Sequence, residues 1–196
     1  MRSALTELSA SNSFSFRLRM EIWVGVSGYT VYGEERGEGS LEGDDLTLEI
    51  LRISPEGEDR FTISRREGDY FLLRDGLERP ADGSEVPGPL FRPREFLALF
   101  SRFRDVREEG EEEREGEICR VFRLDYDPSL ALEALPPQAK EYFTNLDYEL
   151  SGRLWLGERS PYPVAISLEL TGLDPAERLQ RLRMVFTFQP LAAERP

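Results

Sequence analysis

Asp44 with Asp45, and Asp125 with Asp127, are carboxylate pairs of the kind general acid–base chemistry uses. Residues two apart on a strand share a face, as a glycosidase-like pair would. Both pairs stand at strand ends beside turn residues, where solvated acids belong. Residues 108–117 (EEGEEEREGE) gather more carboxylates. Calcium loops need oxygen ligands at fixed offsets around an enforced turn, and this run has no such register, so it reads as a solvated hairpin tip. Histidine is absent, which removes every mechanism that needs an imidazole as base, shuttle or metal ligand. The single Cys119 can form neither an internal disulfide nor a thiolate metal site alone. In a strand it reads as a buried, inert thiol, because neighbouring Arg120 points to the opposite face. No nucleophile elbow, phosphate loop or metal signature is present. The expectation is a protein that is not an enzyme and uses no cofactor or metal.

Charge narrows the partners. The formal net charge is −13, from 38 acids against 25 bases. That field repels polyanions, which argues against nucleic acid, and it disfavours an anionic membrane surface. All the bases but Lys140 are arginine, a bias that carries little functional weight. No apolar run reaches the ~18–20 residues needed to span a bilayer. No export segment precedes the first strand, so the expectation is a cytoplasmic protein or a mature fragment.

The elements follow from periodicity. Phe14, Phe16, Leu18, Met20, Ile22, Val24 and Val26 alternate without a break, the pattern of one strand with a dry and a wet face. At about 3.3 Å per residue it runs roughly 40 Å, long enough to twist and coil within a curved antiparallel sheet. Ala4, Leu5 and Leu8 predict a short helix before it. A weakly apolar strand follows over 33–43, and then Leu46, Leu48 and Ile50 mark a third. Phe61 with Ile63 begins a fourth strand, and 70–74 is a fifth. Residues 75–92, rich in Pro and Gly, read as an irregular loop. Phe96, Leu99, Phe100 and Phe103 stand at i, i+3, i+4 and i+7, predicting a helix after Pro93. Ile118, Phe122, Leu124 and Tyr126 alternate. Residues 127–146 read as two short helices, and three strands around Leu154, Ile166 and Phe186 close the chain.

One domain over 1–196 is expected, of α+β class: a long curved antiparallel sheet forming a half-barrel, with short helices covering its concave face. This order of elements resembles the LolA/LppX-like superfamily of bacterial envelope lipoprotein and lipid carriers. The local match is Gly152-Arg153-Leu154-Trp155-Leu156-Gly157, then Tyr162-Pro163-Val164 and the returning strand to Leu170, together with the early stretch from Gly39 to Leu48. The resemblance implies a hydrophobic cavity that shields acyl chains, and export to the cell envelope, outside the cytoplasm. It implies peripheral membrane association only through a lipid anchor, whose attachment cysteine is not found near Met1. For Arg17 and Arg19 it implies no role.

Two readings of function stay open. In one, a lipid or acylated lipoprotein is bound without catalysis, by a carrier or sensor. Its cavity would be lined by Phe16, Leu18, Met20, Ile22, Phe96, Phe100, Phe103, Leu154, Met184 and Phe186, with the methionines adapting to varied chains. Those side chains could equally fill a dry core. In the other, a regulatory envelope domain of the same fold binds a protein partner or forms a homodimer. Its candidate interface is Trp23 and Trp155, both predicted on the wet face, where each could instead cover arginine stems.

Overall fold

Seven alternating apolar residues make a strand only if something dry lies against them, and the sheet is assembled outward from that strand. The computed structural model describes residues 2–11, 13–26, 29–81, 85, 97–98, 100–127, 129, 147–159, 162–173 and 179–189. A helix, α1 (Arg2–Ala10), leads into β1 (Ser13–Val26). Then come β2 (Tyr29–Glu42), β3 (Asp45–Ser54), β4 (Gly57–Arg66), β5 (Asp69–Arg74) and β6 (Leu77–Pro80). They are followed by β7 (Asp105–Arg114), β8 (Glu117–Asp125), β9 (Asp147–Leu156), β10 (Ala165–Leu173) and β11 (Leu179–Gln189).

All eleven strands form one antiparallel sheet in the order β6-β5-β4-β3-β2-β1-β11-β10-β9-β8-β7. Two meanders therefore meet where β11 pairs with β1, Phe16 opposite Phe188 and Met20 opposite Met184. Among the described residues β6 and β7 are not joined, so the sheet is open rather than a closed barrel.

One face carries the core. Phe14, Phe16, Leu18 and Met20 are buried beside Met184, Phe186 and Phe188 of β11, Ile166 and Leu168 of β10, and Leu154 of β9. On the other side β3 and β4 contribute Leu46, Leu48, Ile50, Phe61 and Ile63. Burying each such side chain contributes about 1.5–3 kcal/mol, enough in sum to hold a sheet of this width. Between them, β2 offers glycines in place of side chains. A Cβ on Gly39 would lie 2.3 Å from the Thr47 carbonyl oxygen and 3.0 Å from Leu48, so β2 stays bare where Leu48 leans across it. The weak apolarity of this strand thus has a packing reason.

Cover comes from α1, whose Leu5 and Leu8 join the core, and from Leu97, Phe100 and Phe103. The Tyr126 hydroxyl donates to the Phe100 carbonyl at 3.1 Å, and burial pushes that phenol up from its ordinary pKa. Among the described residues the helical positions are α1, 97–98 and 129. Most of the helix expected after Pro93, and of both expected over 127–146, lies outside the described residues.

Two expectations are corrected. The loop over 75–92 contains β6, an exposed edge strand paired with β5 from Phe71 opposite Pro80 to Arg74 opposite Leu77. The acidic run at 108–117 is largely strand: β7 pairs with β8 through to Arg114 opposite Glu117, and only Glu115-Gly116 form the turn. A bulge between Glu108 and Gly110 sharpens the local twist. The β7–β8 hairpin curls over the face opposite the core, and Glu115 pairs with Arg17 of β1. A flat sheet with ~4.8 Å between strands would hold these residues roughly 20 Å or more apart, beyond the reach of the two side chains.

Candidate functional site: the apolar face and the charged groove

The apolar face gathers most of the residues expected to line a cavity. Phe16, Leu18, Met20, Phe100, Phe103, Leu154, Met184 and Phe186 belong to one buried cluster. Phe100 meets Phe186 edge-on at 6.3 Å, and Phe186 stacks on Phe188 at 6.4 Å. Phe96 lies outside the described residues. Ile22 differs from the rest: Met20 is 7% exposed, but Ile22, next on the same face, is 37% exposed. Its cross-strand partner Leu182 is half-buried. The dry stripe therefore runs out from under its cover at this end, and the two methionines, directly opposite each other, stand at the boundary.

A charged rim borders the same end. Glu35 lies opposite Met20, and Arg52 lies opposite Glu35. Arg52 Nε holds Glu35 Oε1 at 2.6 Å, leaving the buried Oε2 without a hydrogen-bond partner. Arg74 pairs with Asp59 at 2.8 Å, and both arginines sit 5.1 Å over the Phe61 ring. Reading the sequence did not single out this rim, because its residues come from four strands and only the register joins them.

The opposite face carries charge. Arg19 and Arg36 stand directly across from each other, and Glu34 holds both, at 2.9 Å and 2.6 Å. Tyr32 donates its hydroxyl to the other oxygen of Glu34 at 2.9 Å. Glu34 is only 6% exposed. The hydrogen bond from Arg36, with help from Tyr32 and Arg19, keeps its carboxyl below the ordinary range despite burial. Glu21 takes Arg19 at 3.0 Å and faces Arg183 at 3.8 Å. Above this network opens a groove of about 1060 Å³. Its arginines are Arg17, Arg19, Arg36, Arg60, Arg114 and Arg183; its acids are Glu21, Glu38, Glu49, Asp75 and Glu115. Arg17 and Arg19, for which the sequence suggested no role, are therefore groove residues.

Both tryptophans lie on this face, as their strand parity predicts, but they are not equally open. Trp23 is half-buried between Tyr32, 5.5 Å away, and Arg181, 4.9 Å over its ring. Trp155 is 2% exposed, contrary to the expectation of a wet position. It packs with Cys119, Val121, Val164 and Ala165 beneath the β7–β8 hairpin. Its indole N–H donates to Glu112 at 2.9 Å, and Arg114 lies 4.3 Å over the ring. Burial raises the Cys119 thiol above its ordinary pKa, the direction of an inert thiol.

The carboxylate pairs are engaged in ordinary ways. Asp125 takes Arg123 at 3.3 Å. Asp127 takes Arg104 at 3.0 Å and accepts from the Ser129 hydroxyl and amide, which lower its pKa. Asp44 lies in the β2–β3 turn and Asp45 opens β3, and the Asp44 carbonyl accepts from Arg65.

No family model and no curated protein matches the chain. Solved structures do. The lipoprotein LppX of Mycobacterium tuberculosis is similar with a TM-score of 0.54 at 11% identity, over 97% of this chain and 98% of that one. LprF of Mycobacterium bovis is similar with the same TM-score and identity, over 100% of this chain and 94% of that one. At this identity the likeness is one of fold, and it spans both chains nearly end to end. The open eleven-stranded sheet with its large apolar face has the fold of LppX and LprF.

Proposed function

We propose that this protein binds the acyl chain of a lipid or acylated lipoprotein, without catalysis, as a carrier or sensor in the cell envelope. The observation that carries the reading is the continuity of the apolar face, from fully buried Phe186 and Leu154 to exposed Ile22. An acyl chain entering at Ile22 and Leu182 would meet Met20 and Met184 first, side chains whose flexible thioethers re-pack at low cost. It would then displace the cover formed by Phe100 and Phe103. Each buried CH₂ contributes about 0.8 kcal/mol, so roughly ten of them offer ~8 kcal/mol, a micromolar affinity before ordering costs. The rim of Glu35, Arg52, Asp59 and Arg74 would hold the polar end of the ligand. A fold shared with a lipoprotein supports placement in the envelope, outside the cytoplasm.

The test is uptake of a dansyl-labelled fatty acid by the protein and by Ile22→Glu. The expected result is saturable blue-shifted fluorescence in the parent and a loss of about tenfold or more in affinity for the variant, which places a charge at the mouth. No uptake by the parent would reject the carrier reading. The burial of Phe100, Leu154 and Phe186 in one cluster favours the second reading, a scaffold with no small-molecule ligand that binds a protein partner or its own copy through the face carrying Trp23.

A further inference from the structure

We infer that the groove on the charged face is a second binding site, separate from the apolar face, and that its ligand carries a phosphate-type oxyanion. The chain as a whole is strongly acidic, yet this groove collects six arginines against five acids. The acids are not spread evenly among them. Glu21, which lines it, and Glu34, which does not, fix Arg19 and Arg36, so those two guanidiniums are positioned but already paired. At the end under the β7–β8 hairpin the balance changes. Arg114 makes no ion pair within 4 Å among the described residues, although Glu115 and Glu112 are near enough to act on its charge; its guanidinium rests half-buried on Trp155. Arg17 beside it spends one nitrogen on Glu115, and its buried Nε is without a hydrogen-bond partner. Buried Nε atoms on Arg65, Arg74 and Arg181 are similarly unpartnered, but each of those arginines lies over a ring, of Tyr70, Phe61 and Trp23. Trp155 accounts for the Nε of Arg114 in the same way, which leaves that of Arg17 as the one with no ring against it among these five. Arg183 completes the corner, held only loosely by Glu21 at 3.8 Å. The guanidiniums of Arg17, Arg114 and Arg183 keep donors to spare and converge on one corner, which suits a tetrahedral oxyanion that accepts several charge-assisted hydrogen bonds, against the opposing charge of Glu21 and Glu115. The phosphate could belong to a lipid headgroup or to a soluble molecule.

The experiment is calorimetric titration with inorganic phosphate at low ionic strength, matched by chloride, on the full chain and on Arg114→Gln, Arg17→Gln and Arg123→Gln. Arg123 lies on the same face outside the groove, and circular dichroism checks that each variant is folded. The expected result is saturable binding, weakened about tenfold or more in either groove variant and unchanged in Arg123→Gln. Flotation with phosphatidylglycerol vesicles, against phosphatidylcholine, then assigns the source. Co-flotation lost in Arg114→Gln makes the site one for a headgroup, and phosphate binding without flotation makes it one for a soluble ligand. The inference is overturned if phosphate gives no more heat than chloride and no vesicle binds. It is equally overturned if Arg123→Gln weakens binding as much as the groove variants do.

Discussion

The two faces of this sheet are built from the same strands by opposite means. On β1, Phe16, Leu18 and Met20 turn into a single large core, where cohesion is non-directional and each side chain adds to its neighbours. One residue over in each case, Arg17, Arg19 and Glu21 turn to a face organised by ion pairs and one curled hairpin. The exposed pairs, such as Arg17 with Glu115, are each worth only ~0–1 kcal/mol, and for Glu21 and Glu34, which are buried, the desolvation cost offsets much of the attraction. These pairs fix geometry instead, holding guanidiniums at set positions around a groove. Stability is therefore concentrated on one face, and chemical diversity on the other.

If that division is right, truncating the core must cost far more than anything done opposite. Phe186→Ala, which removes contacts with Phe16, Phe100 and Phe188, should lower unfolding free energy by about 3–5 kcal/mol in urea melts. A loss below ~1 kcal/mol would mean the face is not close-packed. Gly152→Ala comes next. Its Cβ would fall 2.7 Å from the Ser167 carbonyl oxygen and 3.1 Å from the Tyr126 ring, an overpacking cost of about 1–3 kcal/mol. Trp155→Phe keeps the ring but deletes the donor to Glu112, so a loss of ~1 kcal/mol is expected, with faster amide exchange confined to the β7–β8 hairpin. The smallest effect belongs to Glu34→Gln and is pH-dependent. The folded pKa of Glu34 is depressed, so its stabilisation is present above the unfolded value and lost as pH falls through the folded one. The parent should exceed the variant in melting temperature at pH 7, and the gap should close below the ordinary glutamate value of 4.5. A gap that widened on acidification would contradict the network at Arg19 and Arg36.

The same contrast explains how much could be read from the sequence. Strands β1, β3 and β9 to β11 were legible because a face that meets a core must alternate, and the parity of Trp23 and Trp155 followed directly. Strand β6 was not legible: Leu77-Glu78-Arg79-Pro80 is exposed throughout and exists only because β5 offers a free edge. Most of β7 reads from sequence as part of a solvated hairpin tip, since its ladder with β8 is exposed almost throughout. The burial of Trp155 depended on Glu112 and Arg114, far away in sequence and brought over it by a bulge. Among the candidate ligand residues, the cluster from Phe16 to Phe186 was recoverable from alternation. The rim at Glu35 and the groove at Arg17 and Arg114 were not, because charged residues carry no periodic signal that says which of them will meet.

The central claim, an acyl ligand on the apolar face, is tested most directly by native mass spectrometry of freshly purified protein, followed by solvent extraction. The account predicts a lipid-sized adduct that the solvent releases and that Ile22→Glu does not carry. A parent protein that is clean, and stays clean after incubation with fatty acid, would contradict it and leave the core as packing alone.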